Sequence, residues 1–266
     1  MSPVTVERKH SQSVPVVTAS FADRPAFGAA VSKAILLRVA AGELPPTVRL
    51  HGTGRVVAFG RQDAAADGFG AAVDAARVAG FGVIVRVAGG RAAVYHEGTL
   101  AMSRAVPDPN PAARTHSRFE EMAGLVADAL RDLGVDARVG KVPGEYCPGE
   151  YSVNARGRTK LVGIGQRIVA RAAHLGVVIV VRDSALVRRA LVPVYEALRL
   201  DWDPATAGSI EDELGAAEPA AVEDAILGRL RAAGHDLVDG SLDRDTLDLA
   251  GRLEAEHDPA RATPRR

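Results

Sequence analysis

The chain is poor in cysteine, aromatic residues and lysine, and it carries no net charge. Its single cysteine, Cys147, has no partner for an internal disulfide and no second thiolate for a sulfur-rich zinc site, which points to a reducing, cytoplasmic setting. Thirty-three basic residues balance 33 acidic ones, so the usual electrostatic basis for a nucleic-acid or anionic-membrane partner is missing. The longest apolar run, Val177 to Val181 behind Leu175 and Gly176, falls far short of the roughly 20 residues that cross a bilayer. Met1 to Ser20 lacks the basic segment, apolar stretch and cleavage site of a secretory signal. Neither nucleic acid nor membrane is expected as a partner. What remains is ordinary globular composition: 266 residues, 47% hydrophobic and 25% charged, enough for one large domain with a continuous core. Lysine occurs only at Lys9, Lys33, Lys141 and Lys160, in a chain that otherwise uses arginine.

Pro25 suits a first helical turn, and Ala29, Ile35, Leu36, Leu37, Val39 and Ala40 continue a helix that Gly42 and Pro45-Pro46 stop. Val48 to Leu50 and Val56 to Phe59 read as strands joined by a hairpin-type turn at His51-Gly52-Thr53-Gly54. A helix from Asp67 ends at Gly80, Val83 to Val87 reads as a strand entering Gly89-Gly90, and strand character resumes over Ala92 to Tyr95 and Leu100 to Ala105. Ser117 and Glu120 have capping-box spacing, and Met122, Leu125, Val126, Ala129, Leu130 and Leu133 recur at helical intervals up to Gly134. Further strands are expected at Val135 to Val139, Tyr151 to Asn154, Lys160 to Val162, Gln166 to Ala170 and Leu175 to Val181, with glycine in their links. From Asp183 onward the pattern is helical. Strands cluster and helices cluster without regular alternation, which gives an α+β fold class with mixed, largely antiparallel sheets flanked by helices. Residues 1–22 read as a flexible arm, 23–235 as the main domain and 236–266 as a helical C-terminal tail.

Two segments carry residue types suited to chemistry. In Arg86-Val-Ala-Gly89-Gly90-Arg91-Ala-Ala-Val-Tyr95-His96, a glycine pair lets backbone N–H groups approach an anion while Arg86 and Arg91 add donors for it. As plain structure, the same residues make a hairpin with two exposed arginines. No Gly-Lys-Ser/Thr follows, so this is not a Walker loop. In Glu145-Tyr146-Cys147-Pro148-Gly149, followed by Lys160-Leu161-Val162-Gly163-Ile164-Gly165-Gln166-Arg167, the lysine can hold a carboxyl oxygen and stabilise charge developing on it. The plain alternatives are a strand-edge lysine and a buried, inert thiol, although Cys147 lies in a turn-prone stretch rather than an apolar run.

In this order and at this separation, the segments resemble the catalytic domain shared by lipoate-protein ligases, octanoyl transferases and biotin protein ligases. Arg86, Gly89, Gly90, Tyr95 and His96 resemble that group's strand with a Gly-Gly motif ending in an aromatic-His pair. Gly157-Arg158-Thr159-Lys160-Leu161-Val162-Gly163-Ile164-Gly165 resembles its lysine motif with one inserted Thr. Phe59-Gly60-Arg61-Gln62 and Ala207-Gly208-Ser209-Ile210 resemble two further motifs, the second opening a helix, and the likeness spans roughly residues 25–230. The resemblance implies a biotin/lipoate protein ligase catalytic-domain-like fold. It also implies amide formation between lipoate or octanoate and the lysine of a lipoyl carrier domain or a glycine-cleavage H-type protein.

By the same resemblance Lys160 and Cys147 are the candidate catalytic residues, and Arg86, Gly89, Gly90, Arg91, Tyr95, His96, Gly163 and Gly165 the candidate substrate-binding residues. No protein-held metal site and no tightly bound cofactor are implied. The family offers two routes. A ligase uses ATP and Mg to make an acyl-adenylate, whereas a transferase receives an octanoyl thioester and passes the acyl group through a cysteine. Gly-Gly-Arg, the spacing from His96 through Leu100 to Ser103, and Gln166 before Arg167 resemble the cysteine branch. Cys147 stands closer to its proline than that branch's nucleophile does, which favours the ligase label, with the cysteine transferase as the alternative. A third reading, from another class, is a non-catalytic acyl-carrier-binding protein, whose mark would be Lys160 turned to solvent.

Overall fold

The computed structural model describes residues 13–262. Eight strands form the main sheet in the order β11-β1-β2-β6-β10-β9-β8-β7. These are β1 (Val14–Val17), β2 (Thr47–His51), β6 (Thr99–Pro107), β7 (Ala137–Val139), β8 (Val153–Ala155), β9 (Thr159–Val169), β10 (Ala172–Val180) and β11 (Leu237–Gly240). A second sheet has the order β4-β3-β5, from β3 (Val56–Phe59), β4 (Gly82–Val85) and β5 (Ala93–Tyr95). Pairing is antiparallel except for β1 with β2, β1 with β11, and β3 with β4, so the mixed α+β expectation holds.

Two of the longer helices bury the stripe that their spacing places on one side. On α4 (Thr115–Asp132), Met122, Val126 and Leu130 are buried with Leu50, Leu100 and Leu175 of the main sheet. On α5 (Ser184–Ala197), Leu186, Val187, Leu191 and Val194 join Phe59 and Val85 of the small sheet, together with Phe69 and Val73 of α3 (Phe69–Val78). Helix α1 (Pro25–Ala41) is buried over much of its circumference, and its Ala30, Val31, Ala34, Ile35 and Val39 share a cluster with Ala250 of α8 (Arg244–Leu253). The helix expected after Gly208 is present as α6 (Ile210–Leu214), where Ser209 Oγ accepts the Asp212 N–H at 3.2 Å and Asp212 accepts the Ser209 N–H at 2.9 Å.

Several expectations need correction. The His51–Gly54 segment is not a hairpin turn, because β2 and β3 belong to different sheets. The expected arm over 1–22 contains β1, which pairs in parallel with β2 on one side and β11 on the other; residues 1–12 lie outside the described residues. The tail expected to be helical supplies β11 to the main sheet before α8, and residues 263–266 lie outside the described residues. Ser117 does not cap α4: the helix starts at Thr115, and Ser117 Oγ donates to Arg114 O at 3.2 Å from inside the first turn. The two strands expected on either side of Gly163 and Gly165 are one strand, β9. Glycine does occupy the β8–β9 turn, at Gly157 with φ 74°, but Arg171 makes the β9–β10 turn at φ 65°.

Candidate active site

The segment from Val142 to Ser152 folds over the start of β9, held from beneath by Glu145. This carboxylate is buried and accepts the Gly149 N–H at 2.9 Å, the Ser152 hydroxyl at 2.8 Å and the Val142 N–H at 3.3 Å. Lys160, only 1% exposed, donates to Cys147 O at 2.7 Å, Tyr146 O at 3.0 Å and Glu145 Oε1 at 3.4 Å. Its ammonium also sits 4.9 Å from the centre of the Tyr146 ring. All three lysine donors are therefore engaged in fixing the loop that carries Cys147, and none is turned to solvent. Burial lowers the Lys160 pKa, opposed by the negative charges of Cys147 and Glu145.

Cys147 adopts φ 43°, a left-handed turn conformation that aims its side chain across to the Gly89-Gly90 loop. Its sulfur accepts the Arg91 N–H at 3.2 Å and lies 3.5 Å from the Arg86 Nη2 donor, while its own N–H donates to Tyr195 Oη at 2.8 Å. Tyr195 in turn donates to Ala92 O at 3.0 Å, tying α5 to both loops. Burial pushes the thiol pKa up. The charges of Arg86 and Lys160, with the hydrogen bonds from Arg91 and Arg86, outweigh it and bring the pKa below the ordinary thiol value.

The glycines are required by close approach. At Gly90, φ is 98° and a Cβ would lie 2.4 Å from Arg86 Nη2 and 2.8 Å from the Cys147 sulfur. At Gly60, before α2 (Arg61–Ala64), a Cβ would lie 1.6 Å from Gly90 O. Fully buried Asp63 accepts the Gly60 N–H at 3.1 Å and pairs with the Arg91 guanidinium at 3.2 Å. Gly89 donates to Gln166 O at 3.2 Å. The Gln166 side chain is held by Arg118, whose buried partner is Asp108 at 2.5 Å.

The result is a cleft of about 590 Å³. Arg86, Gly89, Gly90, Cys147, Lys160, Gly163 and Gly165 all line it, so the two segments singled out by composition and spacing meet at one place. Tyr95 instead lines a smaller neighbouring cavity, which shares Arg86 with the cleft. The Arg91 side chain faces Asp63, and only its backbone N–H serves the sulfur. His96, expected to bind substrate, lines neither space; it is buried at the turn into β6, where Nδ1 accepts the Gly98 N–H at 3.0 Å. Asp63, Glu145 and Tyr195 were not singled out as site residues. Glu145 sits inside the flagged segment, but nothing in the α5 sequence marks Tyr195.

The fold is an α+β domain in which a cysteine is held between a glycine loop and a buried lysine at the edge of a cleft. The chain belongs to the lipoyl protein ligase A/B catalytic domain family, whose model matches residues 24–229. It is 29% identical over 163 residues to an octanoyl-[GcvH]:protein N-octanoyltransferase of Geobacillus kaustophilus, covering 61% of this chain and 57% of that one. It is 26% identical over 242 residues to a lipoyl-[GcvH]:protein N-lipoyltransferase of Listeria monocytogenes, covering 85% of this chain and 86% of that one. The match therefore spans less than two thirds of the first relative's length. Among solved structures, lipoate-protein ligase A bound with ATP superposes with a TM-score of 0.73 at 19% identity, over 92% of this chain and 95% of that one, which establishes a common fold.

Proposed function

We propose that this protein is an acyltransferase that moves an octanoyl or lipoyl group onto a protein lysine through an acyl thioester on Cys147. The observation that carries this is the Cys147 sulfur, which faces a cleft, receives N–H donors from Arg91 and Arg86 and has its pKa lowered. The thiolate attacks the acyl carbonyl of a donor carrier, the bond to the donor's amine or thiol breaks, and that group leaves after taking a proton from solvent. The neutral amine of the acceptor lysine then attacks the thioester, loses its proton to solvent, and the thiolate leaves. The Arg86 guanidinium and the Arg91 N–H hold the thiolate before attack and after release. Lys160 fixes the loop and adds positive charge behind it.

The partners that fit are a GcvH-type carrier, named with the acyl group in both relatives, and a second protein presenting a lysine. ATP and Mg belong to the adenylating route. Here the donors that would cradle its phosphate are engaged within the loop, the Arg91 N–H on the Cys147 sulfur and Arg86 Nη2 on Arg91 O at 2.8 Å and the sulfur at 3.5 Å, so no step is assigned to ATP. The cysteine route is preferred in this proposal over the ligase label drawn from the Cys147–Pro148 spacing, and the turn at φ 43°, which brings the sulfur to the glycine loop, supports that preference. The test is intact-mass analysis after incubation with octanoyl- or lipoyl-bearing carrier and an unmodified lipoyl domain. A hydroxylamine-sensitive acyl adduct on the chain, absent in Cys147→Ser, supports the reading. Transfer that requires ATP and survives Cys147→Ser overturns it.

A further inference from the structure

The pairing registers place Gly165, Gly176, Ser103 and Arg49 in one row across β9, β10, β6 and β2, with Gly163, Val178, Ala101 and His51 in the row two residues along. Cross-strand neighbours share a face, so the two rows form one band across one face of the main sheet. Its β9 end, Gly163 and Gly165, lines the Cys147 cleft, and its other end, Gly176, Ser103 and Arg49, lines the second cavity, of about 90 Å³. Ala88 and Gly89 cross above it: a Cβ on Gly165 would lie 2.9 Å from Gly89 O, and one on Gly176 3.4 Å from the Ala88 Cβ.

The far cavity is not uniformly apolar. Pro25, Ala29, Val56, Ile84 and Met102 share its wall with Arg49, Ser103 and His174. Arg49 is 1% exposed and donates to Gly28 O, Ser32 Oγ and Ala19 O, but its Nε has no partner and it forms no ion pair among the described residues. Burial lowers its pKa to about 10, so it stays charged at neutral pH. The Ser103 hydroxyl and the His174 ring, both at least nine-tenths buried, make no hydrogen bond among the described residues. His174 is held neutral, its pKa lowered to about 4 by burial and by the charge of Arg49.

We propose that Arg49, Ser103 and His174 make this cavity select a lipoyl chain over a plain octanoyl chain, an inference that rests on the acyl-transfer reading above. A methyl terminus would strip water from these donors and offer nothing in return, and an unmade buried hydrogen bond carries a penalty. The two sulfurs of a dithiolane ring are polarisable, weak acceptors that keep the donors partnered. One such difference corresponds to a preference of about tenfold in kcat/KM.

The experiment gives the full chain equal amounts of a GcvH-type carrier bearing octanoyl or lipoyl on its lysine, with a limiting unmodified lipoyl domain, and reads the product ratio by intact mass. The wild type is expected to favour lipoyl by about tenfold, and His174→Leu and Ser103→Ala to bring the ratio toward parity by retaining octanoyl transfer. A wild-type ratio at or below one overturns the selectivity, as does a ratio unmoved in both variants; the wild-type competition decides alone if the variants do not fold. Cys147 thioester formed equally from both chains overturns the selectivity while leaving the transferase intact. Absence of any thioester or transfer overturns the transferase reading, and this inference with it.

Discussion

Replacing Arg86 with glutamine is expected to raise the Cys147 thiol pKa by about 1–2 units, from the loss of one positive charge beside the sulfur. Its Nη2 donor lies 3.5 Å from the sulfur. A unit charge at such a separation is worth about 4 kcal/mol at an effective dielectric of about 20. Lys160 and the Arg91 N–H remain in the variant and go on holding the thiolate, so the net loss is smaller, about 1–3 kcal/mol, or roughly 1–2 pKa units. Because the chain has one cysteine, the mass gain on iodoacetamide treatment reports Cys147 alone. In the wild type, the alkylation rate should climb with pH through a midpoint below the ordinary thiol value of about 8.5 and then level off. The Arg86→Gln midpoint should lie higher, and Arg86→Lys, which keeps the charge without the fork, should fall between. A glutamine profile that overlays the wild type, with cooperative melting of both proteins, would refute the account of the thiol.

Lys160→Met should leave Glu145 buried without its cation, cost about 3 kcal/mol in urea unfolding and reduce acyl transfer by at least about 100-fold in the carrier assay. Gly90→Ala forces a Cβ against the Cys147 sulfur at φ 98°; stability should drop by about 1–3 kcal/mol and thioester formation should be lost on intact-mass analysis. His174 is held neutral in the fold, with its pKa lowered from 6.5 to about 4, so the unfolded chain binds a proton that the folded imidazole does not. Stability falls as pH drops across that window, and between pH 6.5 and 4 the wild type should lose about 3 kcal/mol more than His174→Gln in urea titrations. Asp108→Asn breaks the buried pair that positions Arg118 and, through it, Gln166; about 3 kcal/mol of destabilisation is expected from thermal melts.

What the sequence made legible follows from how local each cause is. The α4 stripe of Met122, Val126 and Leu130 depends only on helical periodicity, and that helix is where expected. Strand β9 was divided because Gly163 and Gly165 have low strand propensity. The reason for Gly165 lies outside the strand, since a Cβ there would lie 2.9 Å from Gly89 O and 3.1 Å from the Ala88 Cβ, whereas one on Gly163 would make only ordinary contacts. Four-residue β1 and β11 stabilise each other across more than 200 positions, and neither run is long enough to read alone.

The site divides in the same way. Its chemistry-bearing residues were recognisable because cysteine and lysine are scarce here and the glycine pair is unusual, yet Arg86 and Cys147, 61 positions apart, become neighbours only through the packing of two loops. The spacing of Cys147 from Pro148 argued against a nucleophile while position along the chain was the only measure. A left-handed turn at Cys147, anchored by Lys160 on its carbonyl and Tyr195 on its N–H, swings the sulfur onto the Arg91 amide, so on the proposed cysteine route the conformation of one residue offsets its displacement in sequence. A test of that argument is Tyr195→Phe, which removes the N–H anchor without altering charge. Cys147 alkylation should slow while the pH midpoint stays where Arg86 and Lys160 set it, and a midpoint that moves instead would show the turn to be held by something other than these anchors.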